Sequence, residues 1–305
     1  MGSFMHINEL KDATDINFFL NKTIVIYGQS GSEKMQVLIR LLRLLKDTKW
    51  FTSANLWALN ETVHETGYNI IFGSDNCYSN FDNFEKWYED LNTNLSKFTM
   101  SKLQMLENPK FLGVLYKLLN QTTVQKTSQK IALFGNDLTQ NTILTIWRKT
   151  ILESYLEIQK NHISFCKGSQ CSVCFFCAQK NTLILLDDFG MHKNTVMGSN
   201  FVRAPTLSRH LNITIIVLAQ SVDLVNPSFR SNANINLFTS TVTLAQYFGI
   251  GALFVSLKKR QYITELFEGA KKNNQWSVVI WSNVPNIKEL LIVRIIIQTV
   301  NFKFL

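Results

Sequence analysis

No stretch of this chain reaches the roughly 18 consecutive apolar residues of a membrane-crossing helix, so no transmembrane segment is expected. Residues Met1 to Asp15 lack a basic start followed by an apolar run, so no secretory leader is expected. Proline is scarce, at 4 residues in 305, and glycine modest, at 13, which argues against long disordered linkers. There is no internal repeat and no low-complexity tract. Cysteine is sparse and uneven: of five, four fall within Cys166–Cys177 and Cys77 stands alone. Without a leader, that spacing favours metal ligands in a reducing compartment over disulfides. Acidic residues are outnumbered 22 to 31 by basic ones, and the net charge of +9 favours a polyanionic partner, nucleic acid or phosphate.

What is present is enough apolar material for a large core. Hydrophobic residues make up 46% of the chain, which suits one large α/β domain or two small ones. Thr23–Tyr27 reads as a buried strand and Lys34–Leu45 as a helix. Tyr68–Phe72 reads as a second strand, ended by Gly73-Ser74-Asp75. From Asn83 to about Lys160 aliphatics recur three and four apart, as in Phe111, Leu112, Leu115, Leu118 and Leu119, which predicts helices. Leu183–Leu186, Ile213–Leu218 and Ile235–Phe238 read as further strands, and Trp276–Trp281 and Leu291–Val300 as late β-rich segments. Runs that are apolar without alternation predict strands covered on both faces, hence a mainly parallel sheet flanked by helices. Ligands of such sheets bind at the carboxyl ends of strands.

Three motifs fall at such ends. The first is the loop Gly28-Gln29-Ser30-Gly31-Ser32-Glu33-Lys34-Met35, between an apolar strand and an apolar helix. Its layout is that of a phosphate-binding loop, G-x-x-x-x-G-K-[ST], in which backbone N–H groups curl round phosphates and the lysine reaches the β/γ oxygens. Gly28 and Lys34 are correctly spaced, but Glu33 stands at the second glycine and Met35 at the Mg²⁺-binding hydroxyl. At ~4 Å and an effective dielectric of ~20, a carboxylate facing a phosphate costs about 4 kcal/mol. The second motif, Asp187-Asp188 after four aliphatics, suits a strand end that holds Mg²⁺ and polarises the attacking water; the plainer reading is an acidic pair capping a turn. The third, Gln220, ends the next apolar strand, where an amide can orient water or sense a γ-phosphate. Downstream, Arg230 is either an arginine finger acting on a neighbour's nucleotide or an ordinary surface arginine.

Leu183–Gly190, Leu207-Ser208-Arg209-His210 before Ile213–Ser221, and Pro227–Asn232 together resemble the poxvirus-type DNA-packaging ATPases of the FtsK–HerA superfamily. The Arg-His pair before the glutamine-ended strand and the following Arg-x-Asn are the more specific part, and the resemblance covers about residues 22–75 and 182–285. It implies a RecA-like P-loop NTPase fold over residues 1–305, with a helical insertion at about 83–160 and a cysteine-rich insert at 162–180 that the resemblance leaves unexplained. It implies ATP and Mg²⁺ as ligands, a homo-oligomeric ring, double-stranded DNA and capsid or portal-vertex proteins as partners, and a location at the site of virion assembly in the host cytoplasm or nucleus, or in the virion. Carried over, Lys34 is the phosphate lysine, Asp187 the Mg²⁺ carboxylate, Asp188 the water-activating acid and Gln220 the sensor, with Arg230 and Arg209 as candidate fingers.

The cysteine insert, Cys166-x₄-Cys171-x₂-Cys174-x₂-Cys177 with His162 upstream, suits tetrahedral zinc; an iron–sulfur cluster and free thiols are the other readings. Lys258-Lys259-Arg260 and Lys271-Lys272 are either DNA-phosphate contacts or a solvated face. Trp276 and Trp281, flanked by aliphatics, are expected in the core. Two rival functions stand beside the packaging motor: a non-catalytic relic that binds DNA or capsid proteins, for which Glu33 and Met35 argue, and a helicase-like or conjugation-type pump of the same superfamily.

Overall fold

The computed structural model describes residues 19–47, 51–66, 68–119, 140–154, 181–187, 189–191, 197–208, 210–250, 257–272, 276–282 and 290–295, with a few isolated positions between 120 and 180. The chain divides into two compact units, one of residues 1–92 and 180–305 and one of residues 93–179.

The first unit is built on an eight-stranded sheet. Its strands in chain order are β1 Thr23–Tyr27, β2 Ser53–Trp57, β3 Cys77–Tyr78, β4 Thr182–Leu186, β5 Ile213–Ala219, β6 Ile235–Phe238, β7 Trp276–Ser282 and β8 Leu290–Ile295. Across the sheet the order is β3-β2-β4-β5-β1-β6-β7-β8. The strands from β3 to β6 are all parallel, and β7 and β8 extend them antiparallel. This is the mainly parallel α/β plan expected from the unalternating apolar runs.

Those runs serve two cores at once. Ile24 and Ile26, Leu183 and Leu185, Ile216 and Leu218, and Ile235 and Leu237 point to one face. There they meet Leu38, Leu41, Leu42 and Leu45 of helix α1 (Lys34–Asp47) and Tyr68 and Phe72 of α3 (Tyr68–Phe72). Each such leucine contributes about 1.5–3 kcal/mol relative to exposure. The alternate residues Val25, Tyr27, Ile184, Leu186, Val217 and Phe238 are equally buried on the other face. An aromatic series follows from Trp57 to Phe84, Phe189, Phe201 and Phe229, with neighbouring ring centroids 5.3, 5.4, 4.5 and 4.3 Å apart.

One expectation is corrected. Tyr68–Phe72 is a helix, and the strand beside β4 is Ser53–Trp57, paired in register from Ser53↔Thr182 to Trp57↔Leu186. Tyr68 and Phe72, four apart, are buried while Asn69, Ile70 and Ile71 face solvent, which is the geometry of one helical face. Five apolar residues are too few to separate a period of 3.6 from an apolar strand. Ser53–Trp57 hid because Ser53 and Asn55 break up its apolar residues and only its last three residues are buried.

The second unit contains the end of the helix Phe84–Met105, the helices Pro109–Leu118 and Gln140–Glu153, and a small core of Leu106, Phe111, Leu115, Leu119, Ile158 and Val173. Phe111, Leu115 and Leu119 form the helical stripe that the sequence spacing predicts. Val173, inside the cysteine run, packs in the same core.

In the first unit, Glu85 caps the helix Ser199–Ser208 from 115 residues away: Asn200 N–H donates to its Oε2 and Phe201 N–H to its Oε1, both at 3.0 Å. A carboxylate on two first-turn amides satisfies orphan donors and complements the helix dipole. Glu85→Ala is expected to cost about 1–2 kcal/mol and lower the melting temperature by a few degrees, with Glu85→Gln intermediate, as thermal unfolding will show.

Candidate functional site

Parallel strands bring their carboxyl ends to one edge, and registers set which residues meet there. Tyr27 at the end of β1 is level with Ala219 of β5 and with Phe238 of β6, while Leu186 is level with Val217 and Trp57. The residues that follow these strands, Gly28, Gln220, Thr239 and Asp187, therefore share one edge. Gly28 N–H donates to the Ala219 carbonyl at 3.0 Å, which fastens the loop to the strand that ends at Gln220.

The loop leaves β1 and enters α1 at Lys34. A side chain at position 28 would collide with Thr239 Oγ1 and Ser32 Oγ, so only glycine fits there. Thr239 Oγ1 donates to the Tyr27 carbonyl at 3.2 Å, and Ser32 Oγ lies 2.9 Å from the same hydroxyl. With the threonine proton committed, the serine is the donor of that pair. Gln29, Ser30 and Gly31 are exposed between these anchors, and Gly31 takes φ +77°.

Glu33 has φ +66°, the left-handed conformation that favours glycine. The backbone thus keeps the shape a glycine would give it, at a cost of about 1–2 kcal/mol for carrying a Cβ there. The Glu33 carbonyl then accepts from Gln36 N–H at 2.9 Å and Val37 N–H at 3.2 Å, opening a 14-residue helix whose first turn holds no acidic residue. Such a helix start is a ready anion site.

Met35 packs against the apolar core beneath the loop. Asp187, only 3% exposed, follows β4 and donates its backbone N–H to the Trp57 carbonyl at 2.9 Å. Its Oδ2 accepts from the Tyr68 hydroxyl at 2.9 Å, and the same hydroxyl lies 3.5 Å from Met35 Sδ. Loop, α3 and β4 thus meet around one carboxylate. Gln220 is exposed immediately after β5.

Arg230 is not a surface residue. It is 9% exposed, its Nη1 donates to the Val222 carbonyl at 2.6 Å, and Asp223 Oδ1 lies 3.9 Å away. Its charge also reaches the aromatic group behind the loop, where Tyr27 and Phe238 stack at 5.2 Å and Tyr247 packs on both. Burial pushes the Tyr247 phenol up to about 12, with Arg230 acting in the opposite direction. Tyr27 is pushed up by burial and then by Tyr247, again opposed by Arg230.

Asp188, Arg209, Cys166, Cys171 and Cys177 lie outside the described residues, as do the side chains of Lys259, Lys271, Lys272, Trp276 and Trp281. Cys174 is described, with its Sγ 2.9 Å from Nε2 of the buried His162. Among the described residues no three His, Cys, Asp or Glu side chains gather as a metal-binding group, and no helix is long and apolar enough to cross a membrane. Lys258 is exposed, and the Arg260 guanidinium lies 5.7 Å over the Phe248 ring.

Thr239 and Tyr68 escaped the sequence reading. Thr239 carries the same signal as Gln220, a polar residue directly after a buried parallel strand. Tyr68 carries none, because its partner is 119 residues away.

No protein-family model matches the chain, and no curated protein matches its sequence. Among solved structures it is similar to the genome-packaging NTPase B204 of Sulfolobus turreted icosahedral virus 2 in complex with AMPPCP, at 13% identity and a TM-score of 0.41, covering 91% of this chain and 99% of that one. It is also similar to EssC (ATPases 2 and 3) of Geobacillus thermodenitrificans, at 10% identity and a TM-score of 0.44, covering 90% of this chain and 39% of that one. A third is the cytoplasmic domain of the type VII secretion ATPase EccC of Thermomonospora curvata, at 12% identity and a TM-score of 0.39, covering 90% and 25%.

The left-handed Glu33 gives a test of the loop. Glu33→Gly and Glu33→Ala both remove the carboxylate and differ only in Cβ. The glycine variant is expected to be more stable than the alanine variant by about 1 kcal/mol in denaturant unfolding.

Proposed function

We propose that this chain binds a nucleoside triphosphate at the loop Gly28–Met35 and hydrolyses it as a subunit of a motor that moves double-stranded DNA into a viral capsid. The observation that carries the reading is the convergence on one sheet edge of a glycine-cradled loop, a helix start, a buried carboxylate and a strand-end amide. Gly28 lets the Thr239 and Ser32 hydroxyls close in on the start of the loop, and Gln29, Ser30 and Gly31 stay exposed where a phosphate would approach. Lys34, the first residue of α1, is the proposed partner of the β/γ oxygens.

The donor set suits a hard cation at Asp187, since Mg²⁺ takes oxygen ligands. When bound there, Mg²⁺ supplies neutralisation of charge on the β/γ oxygens. Asp187 is its proposed carboxylate, Asp188 the acid that takes a proton from the attacking water, and Gln220 the amide that orients that water. Arg209 is the proposed finger toward a neighbouring subunit in a ring. Arg230, held on the Val222 carbonyl, is better suited to bracing the turn after β5 than to reaching another subunit. The net charge of +9 and the exposed Lys258 support contact with DNA phosphates. Capsid or portal-vertex proteins are the proposed docking partners, and the assembly site in the host cell, or the virion, the proposed location.

A non-catalytic relic is the second reading, favoured by the sulfur of Met35 where a hydroxyl is needed. For the cysteine run, a structural zinc site is proposed. Metal analysis of protein purified without chelator is expected to give about one zinc per chain, and a substoichiometric content overturns it. For the motor, the purified chain with duplex DNA is expected to hydrolyse ATP faster than without it, and Asp188→Asn to lower that rate at least about 100-fold. A clean chain that turns over no ATP with DNA under ring-forming conditions rejects the enzymatic reading and leaves the relic.

A further inference from the structure

The loop lacks the hydroxyl that its pattern places after the lysine. Met35 offers a thioether, a soft donor that a hard cation such as Mg²⁺ does not take. A hydroxyl from another element nevertheless lies beside Met35 and Asp187. Tyr68 Oη lies 3.5 Å from Met35 Sδ and donates a 2.9 Å hydrogen bond to Asp187 Oδ2.

That hydroxyl is held firmly. Tyr68 is 1% exposed, its ring meets Phe72 edge-on at 6.2 Å and 85°, and both rings sit in the core shared with α1, β1 and β4. The carboxylate it serves is buried as well, and a buried carboxylate needs donors to keep its place and its charge. Loss of an outer partner that orients a metal ligand typically costs about 10–100-fold in metal affinity.

We infer that Tyr68 is a positioning residue for Asp187: its hydroxyl, reaching in from α3, orients the carboxylate proposed to hold Mg²⁺ beside a loop that has no hydroxyl of its own at position 35. The inference rests on the nucleotide-binding reading above. It also explains how Met35 is accommodated. The sulfur fills apolar space against the core, while the orienting hydroxyl comes from a residue that belongs to no recognised motif.

The test compares ATPγS affinity by calorimetry with and without MgCl₂, in the unaltered chain, Tyr68→Phe, and Tyr68→Phe combined with Met35→Thr. Phenylalanine keeps the ring and its packing, so a single cooperative thermal unfolding transition, at a somewhat lower temperature for the lost hydrogen bond, is the control for folding. The unaltered chain is expected to bind ATPγS more tightly with Mg²⁺. Tyr68→Phe is expected to leave Mg²⁺-free affinity within about twofold and to weaken the Mg²⁺-dependent gain by about 10–100-fold. Restoring a hydroxyl at position 35 is expected to recover part of that gain. Electron paramagnetic resonance of Mn²⁺ bound with ATPγS reads the same site without turnover and is expected to show a matching loss in Tyr68→Phe.

If Tyr68→Phe keeps the full gain, or loses affinity equally with and without Mg²⁺, Tyr68 is a packing residue and the inference is overturned. If the unaltered chain binds ATPγS with no gain from Mg²⁺, this inference fails while nucleotide binding stands. If it binds no ATPγS at all, the functional reading falls and takes this one with it.

Discussion

β1 lies between β5 and β6, parallel to both, and its last residue is level with the last residue of each. Parallel pairing needs crossover connections, so β1, β2, β4, β5 and β6 all end at the same edge of the sheet. The candidate site follows from that constraint. Gly28 hangs on the Ala219 carbonyl, Ser32 on the Thr239 hydroxyl, and Asp187 on the Trp57 carbonyl. A slip of one residue in any of these registers would exchange the two faces of a strand and move its terminal residue off the edge.

The same constraint settles how the loop tolerates two unusual residues. Its ends are fixed by strand and helix, and the path between them takes a left-handed residue at position 33. Glutamate adopts it at some cost, because the anchors on either side are worth more than the strain. Met35 meets the apolar underside of the loop, where its flexible chain fills space against the core. Loop shape and loop sequence are therefore separable in this protein: the backbone at position 33 keeps the left-handed conformation although the residue there is glutamate.

Burial recasts other polar residues too. Arg230 looks like a surface cation or a finger in the sequence, but its guanidinium is folded back on the Val222 carbonyl, near Tyr27 and Tyr247. Glu85 looks like an ordinary charge at the start of a long helix and is instead the cap of a helix far away in the chain. In both cases the chain turns a solvent-facing group into an internal brace because nearby backbone groups need a partner.

The sequence by itself determined the strands buried on both faces, the parallel character of the sheet, the strand–loop–helix placing of Gly28–Lys34 and the polar residues at strand ends, since these follow from patterns a few residues long. It misplaced Tyr68–Phe72, where a short apolar run suits either period, and passed over Ser53–Trp57, whose interspersed polar residues hide a strand completed only by pairing with Thr182–Leu186. Tertiary structure alone decided that Tyr68 meets Asp187 across 119 positions and that Ser32 meets Thr239 across 207. It also decided that Glu33 turns left-handed and that Arg230 faces inward. Local periodicity reports only which face of an element is apolar. Which distant polar group that face will meet depends on the order of strands in the sheet, and that order is set by the competition of all crossovers for the same core.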